Sequence, residues 1–306
     1  MEEGRYSQIS AAKRHSLKEL IERYEKDHLP HKTKAKQGFQ FKWWKNQIGH
    51  LVLSDVTPAV VAEYRDKLRD TPTPAGKPRS PASVVRYLAA LSHICTVAVK
   101  EYGWMNENPV LKVTKPKEPR GRIRFLDDDE RKRLLEACQK SENKFLYTIV
   151  VLSLATGMRQ AETLSLKWGK NVDLENEKIV LHETKNGERR VVPLKGLALE
   201  LLRKLRDNRK VVSELVFPGG NPLKPISFRS AWKFALQRAN IKGAVFHTLR
   251  HSAASYLVMN GASLMEVAEI LGHKTLQMVK RYAHLSEPHV SSVVERMNEK
   301  ILGQHG

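Results

Sequence analysis

Apolar positions along this chain recur mostly at three- and four-residue spacing, the signature of helices with one buried face. Residues 1–15 carry no such pattern and read as a flexible N-terminus. Beyond them Leu17, Leu20, Ile21 and Tyr24 fall on one helix face, and Lys34–Ile48 forms a second helix. In that helix Trp43 and Trp44 read as core anchors rather than platforms for stacking bases. Thr57-Pro58 supplies an N-cap with proline at the first helical position, ahead of Val60, Val61, Tyr64 and Leu68. Ser80-Pro81 repeats the signal before Val84, Tyr87, Leu88, Leu91, Ile94 and Ala98. Four helices over residues 16–110 predict a small all-α module. From Asn108 onward Pro109, Pro116 and Pro119 alternate with Lys112, Lys115, Lys117, Arg120, Arg122 and Arg124, so 111–125 reads as an extended basic linker.

A second domain, 126–306, opens at the acidic run Asp127–Glu130, which suits a helix N-terminus. Leu134 and Leu135, then Leu146, Ile149, Val150 and Leu154, mark two core helices. Between Asn171 and Leu194 the period shortens to that of strands: Lys178–Glu183 and Glu188–Val192 flank Asn186-Gly187, a strong hairpin signal. Helical spacing returns over Leu197–Asn208, Ser227–Asn240, Thr248–Asn260, Leu264–Leu271 and Leu276–His284. In the tail helix 290–302, Val290, Val293, Val294, Met297 and Ile301 make an apolar stripe that needs a partner. The fold class is mainly α with a small antiparallel sheet or hairpin.

Composition narrows the function. The 306 residues carry a formal net charge of +20, divided as +8 in residues 1–118 and +12 in the rest. Positive charge in both parts suits a clamp around a long polyanion, with affinity that falls steeply with salt. No stretch is expected to approach a membrane span, and no signal peptide opens the chain. Cys95 and Cys138 sit within apolar helical patterns and read as buried free thiols, suited to a reducing cytoplasm.

Candidate chemistry gathers late in the chain as Arg159, Lys185, His247, Arg250, His273 and Tyr282. A tyrosine hydroxyl, with a pKa of about 10, is a poor nucleophile. Guanidinium, ammonium and imidazole groups around it would stabilise the phenolate and the negative charge spread over a five-coordinate phosphorus. His247 and Arg250, three apart, share a face at a helix start where the dipole also favours phosphate. Gly157 ends one helix before Arg159, with Glu162 one turn on. Lys185 precedes the Asn-Gly turn, and Gly272-His273 reads as a helix end. No Asp/Glu cluster has two-metal spacing and no phosphate-cradling glycine loop is present, so neither a metal nor a cofactor is expected.

The order Arg, Lys in a hairpin, "HTLRH", "LGH" and "RYAHL" resembles the tyrosine recombinase (phage integrase) family, across the whole second domain. The family shares its catalytic fold with type IB topoisomerases. The resemblance implies a four-helix core-site DNA-binding domain followed by an α+β catalytic domain. Tyr282 would form a 3′-phosphotyrosyl link, and Arg159 and Arg250 would hold the non-bridging oxygens. Lys185 would protonate the 5′-oxygen. His247 would accept or relay the tyrosine proton, and His273 would hydrogen-bond the phosphate. Glu162 would support them from behind, while His251 and His284 would need no part. The basic linker would contact DNA. The resemblance is nearest to temperate-phage and prophage integrases acting in the bacterial cytoplasm, on the nucleoid. It implies double-stranded DNA core sites, a homotetramer assembled through the C-terminal tail, and accessory bending or directionality factors. Many such integrases carry a further N-terminal arm-binding domain, and the helical pattern here begins where their core-binding domain would. Alternatives are a Xer-type dimer resolvase, a type IB topoisomerase, or a DNA-binding protein without cleavage activity.

Overall fold

The computed structural model describes residues 12–28, 31–73, 75–118, 124–182, 189–209 and 213–303; of residues 31–36 and 288 it describes the backbone alone. The chain divides into two compact units, Met1–Gly121 and Arg122–Gly306.

The first unit holds α1 (Leu17–Asp27), α2 (His31–Ile48), α3 (Pro58–Asp70) and α4 (Pro81–Val97). Each documented start follows from a cap. Ser16 and Glu19 form a reciprocal capping box, Thr57 Oγ1 accepts from the Val60 amide, and Ser80 Oγ accepts from the Ser83 amide. Leu17, Leu20, Ile21 and Tyr24 are all buried, as their spacing predicts. Trp44 is fully enclosed and its Nε1 donates to the Tyr87 carbonyl at 2.9 Å, so it anchors the core. Trp43, half-buried, packs edge-on against it.

Helix α4 corrects one expectation. It runs on through a π turn at Ala98–Tyr102, making a 22-residue helical stretch of mean hydropathy 1.5. Among the described residues this is the one helix long and apolar enough to cross a bilayer. Its apolar side is spent on packing instead: Val84, Leu88, Leu91, Ile94, Cys95 and Ala98 are fully buried among α1, α2 and α3. The stretch read as an extended linker also begins later than its prolines suggest. Pro109–Lys112 is a 3₁₀ turn whose Val110 joins the core. Asn108 Nδ2 ties this turn to the Ser92 carbonyl of α4 at 2.8 Å, and Arg65 Nη1 donates to Thr114 O at 2.8 Å.

The second unit begins with α5 (Asp128–Gln139), started by an Asp127/Glu130 capping box, and α6 (Leu146–Thr156). The latter is buried nearly all round and packs against α5, α8 (Gly196–Asp207) and α10 (His247–Met259). A short α7 (Gln160–Leu164) leads to a three-stranded antiparallel sheet in the order β1 (Val172–Asp173), β2 (Lys178–Leu181), β3 (Arg190–Pro193). Ile179 faces Val192 and Leu181 faces Arg190 in register. The hairpin expected around Asn186-Gly187 is present as the β2–β3 pair, and its turn lies outside the described residues. Then come α9 (Arg229–Arg238), α10, α11 (Leu264–Leu271) and α12 (Glu287–Leu302). Cys95 and Cys138 are buried free thiols, each pushed up to about 12 by burial.

The expected helix at Leu276–His284 is instead two 3₁₀ segments, Leu276–Met278 and Lys280–Ser286. The apolar spacing explains it. Val279, Tyr282 and Leu285 recur every three residues, the 3₁₀ period, which lines all three up toward the cluster of Ala254, Val258 and Leu271.

Candidate active site

The site is built at helix ends. Helix α6 stops at Gly157, whose φ of 60° is left-handed and whose missing Cβ leaves room for the Leu271 side chain. The chain re-enters α7 at Arg159, whose backbone N–H donates to Glu162 Oε2 at 2.9 Å and whose Nη1 donates to Glu162 Oε1 at 2.7 Å. One carboxylate thereby fixes both the main chain and the guanidinium of Arg159.

Arg190 reaches the same carboxylate from β3. Strand alternation turns Arg190 and Val192 inward and Val191 outward, so this arginine occupies a core-facing position at 7% exposure. Its Nη2 donates to Glu162 Oε2 at 2.8 Å and its Nη1 donates to the Leu271 carbonyl at the end of α11. Gly272, φ 63°, closes α11, and a Cβ there would strike the Arg190 guanidinium. From α10, Arg250 donates through Nη1 to Gly157 O and through Nη2 to Leu271 O, both at 2.7 Å. Arg159 Nη2 approaches the Gly272 carbonyl at 3.5 Å. Arg159 and Arg190 thus share the Glu162 carboxylate, Arg190 and Arg250 share the Leu271 carbonyl, and Glu162 is the one buried carboxylate among the described residues.

Their proton affinities record that imbalance. Burial lowers Arg250 to about 10, with Arg159 and Arg190 adding to the effect. Arg190 is lowered mainly by burial, against the pull of Glu162. Burial opposes the charge of Glu162, but the Arg159 amide and the Arg190 and Arg159 charges outweigh it and hold the carboxyl below its usual range.

Tyr282, 2% exposed, projects from the Lys280–Ser286 turn to place its hydroxyl 2.6 Å from Nδ1 of His251 on α10. His247, one turn earlier on α10 and exposed at the rim, meets the His251 ring edge-on at 4.8 Å between centroids. Burial raises the tyrosine above its usual value, while Arg281 and Arg250 pull the other way. All three histidines are lowered. His251 falls to about 4 through burial, then His247, Arg281 and Arg250; His273 falls to about 4 through burial, then Arg250, Arg159, Arg190 and Arg281. His247 is lowered by the partial burial of its ring, then by Arg250, Arg159 and Arg281. His273 Nδ1 is buried without a hydrogen-bond partner among the described residues.

Arg159, Glu162, His247, Arg250, His273 and Tyr282 therefore share one locality in the second unit. Lys185, Arg120 and Arg122 lie outside the described residues. Lys112 pairs with Glu107 on the surface of the first unit, and Lys115 and Lys117 are exposed. Arg124 is engaged with Glu130 at the start of α5, so its guanidinium serves the second unit's own N-terminal cap. Two residues escaped the sequence reading. His251, given no part there, holds the direct contact with the Tyr282 hydroxyl, whereas His247 reaches it only through His251. Arg190 was hidden by its residue type, although the alternation of β3 assigns it the same face as Val192. Among the described residues no group of three or more His, Cys, Asp or Glu side chains is placed to hold a metal ion.

Residues 124–289, more than half of the chain, match the model of the phage integrase family. A shufflon-specific DNA recombinase of Escherichia coli is 35% identical over 88% of this chain and 69% of its own length. The integrase of Salmonella phage P22 is 30% identical over 70% of this chain and 57% of its own length. The chain thus spans little more than half to about two thirds of these relatives. In fold, an integrase of the transposon Tn1549, solved with a circular intermediate DNA, superposes with a TM-score of 0.73, covering 92% of this chain and 99% of that one at 16% identity. With an arginine-rich cradle beside a buried tyrosine, and relatives of this kind over most of its length, the chain belongs to the phage integrase family of tyrosine-type site-specific DNA recombinases.

Proposed function

We propose that this protein integrates and excises a phage or mobile element by cleaving and rejoining duplex DNA through Tyr282, in the bacterial cytoplasm on nucleoid DNA. The reading rests on one observation above all: Arg159 and Arg190 meet on the Glu162 carboxylate while Arg250, held by the Gly157 and Leu271 carbonyls, lies beside them next to a buried tyrosine. Such an excess of buried positive charge calls for an anion, and a phosphodiester brings one. In this reading Arg159 and Arg250 turn donors to the non-bridging oxygens, geometry that lysine would not reproduce. His273 offers its unpartnered ring nitrogen to the phosphate, and His247 relays the tyrosine proton outward. Lys185 protonates the departing 5′-oxygen. Lys112, Lys115, Lys117, Arg120, Arg122 and Arg124 contact the DNA backbone in this reading. The exposed stripe of α12, with Val290 53% and Ile301 70% exposed, is the element that would join four protomers on two DNA sites. Bending and directionality factors would act on that assembly.

The test is a nicked suicide substrate carrying the candidate core site, incubated without added metal. A denaturation-resistant protein–DNA adduct that disappears with Tyr282→Phe is expected. Salt-sensitive binding with no adduct would overturn the catalytic reading, and an adduct in the variant would overturn the choice of nucleophile.

A further inference from the structure

We infer that His251 is a catalytic residue, the first acceptor of the Tyr282 proton. The inference rests on the cleavage reaction proposed above and adds a residue to it. The geometry is direct: Nδ1 lies 2.6 Å from the hydroxyl oxygen, and the two residues sit on different elements, α10 and the Lys280–Ser286 turn. A hydrogen bond this short between a phenol and an imidazole is already aligned along the path a proton would take. No other side chain is recorded in hydrogen-bond contact with that hydroxyl among the described residues.

The ring is in the right protonation state. Around it stand His247 and Arg250 of its own helix and Arg281 of the turn, while α6 presents no charged side chain and the glutamates of α11, Glu266 and Glu269, are exposed. Burial and these cations keep His251 neutral at physiological pH, with a value of about 4. A neutral imidazole carrying its proton on Nε2 accepts at Nδ1, so the phenol O–H is the donor. A phosphate entering the arginine cradle brings negative charge, which offsets the cations and strengthens this base at the moment it is needed.

The step balances. As the Tyr282 oxygen bonds to phosphorus, its O–H bond breaks and the proton moves to Nδ1 of His251. The bond from phosphorus to the 5′-oxygen breaks, and that oxygen takes a proton from Lys185. His251, now an imidazolium, releases its Nε2 proton to His247 at the rim or to solvent and returns to neutrality. Rejoining runs the same transfers backward.

The test measures single-turnover cleavage of the suicide substrate by the protein across about pH 3.5 to 8, a span that includes the value of about 4 for His251. Asparagine in place of His251 can accept the hydrogen bond and hold the tyrosine, but cannot take its proton. His251→Asn should therefore bind DNA normally, lose about 10²-fold or more in cleavage rate, and lose the fall in rate that the wild type shows on the acid side. An unchanged rate and acid limb in His251→Asn, with the loss appearing in His247→Asn instead, would overturn the inference while leaving the proposed reaction standing. Absence of any Tyr282-dependent adduct in the wild type would remove the reaction itself. If His251→Asn fails to melt cooperatively, His251→Gln takes its place under the same reading: loss of the rate and of the acid limb supports the assignment, and retention of both overturns it.

Discussion

Among the described residues of the first unit the one buried polar or charged side chain is Asn108, and its amide is spent tying a turn to a helix. In the second unit the buried set includes Arg190, Arg250 and Glu162, along with several hydroxyl groups. The difference separates two uses of an interior. One core is almost wholly apolar. The other holds guanidinium groups against backbone carbonyls at helix ends and keeps them together with a single carboxylate, an arrangement that a bound anion would complete. Helix termini make this possible, because the carbonyls of Gly157 and Leu271 lack helical partners and can accept from Arg250 and Arg190.

The contrast can be broken at its strongest point. Arg250→Lys should reduce cleavage by about 10³-fold, since one ammonium cannot replace a planar fork that spans two carbonyls and a phosphate; single-turnover rates on the suicide substrate would measure it. A smaller test compares one residue from each interior. Trp44→Ala and Glu162→Gln should each cost about 3–5 kcal/mol by thermal or denaturant unfolding, the first through a cavity and the second by leaving arginines uncompensated. Added sulfate should then restore more stability to the Gln variant than to the Ala variant, and equal recovery would erase the distinction drawn between the two cores. The mildest perturbation is pH. His251 and His273 fall to about 4 in the folded protein against a usual 6.5, and His247 is lowered as well. The unfolded chain therefore binds more protons in that window. The stability these histidines lend is whole above about pH 6.5 and is lost as the pH falls toward about 4. Melting temperatures across the window should decline, and bound DNA should lessen the decline.

Much of this was legible before any coordinates. Thr57-Pro58, Ser80-Pro81 and Asp127 with Glu130 mark helix starts that the structure reproduces at Pro58, Pro81 and Asp128, because caps act locally and need no partner from elsewhere. The apolar faces of α1 and α6 were equally plain. What escaped depended on tertiary placement. Arg190 looks like a surface residue until the register of β2 and β3 turns it inward. His251 follows Arg250 directly in sequence, and only the position of the turn carrying Tyr282 reveals their contact. The strand β1, two residues long, offers too little alternation to read, and the 3₁₀ geometry around Tyr282 emerges only where a three-residue apolar repeat meets α10 and α11.

One consequence reaches back to the stretch Pro81–Tyr102. In the folded protein its apolar face is buried in the first unit, yet by length and hydropathy the helix is long and apolar enough to cross a bilayer. During synthesis, before α1, α2 and α3 close around it, the same segment is a long exposed apolar surface. Truncations that remove the opening helices would leave it bare. The first symptom of such damage would be precipitation or chaperone capture, well before any defect in recombination could be scored.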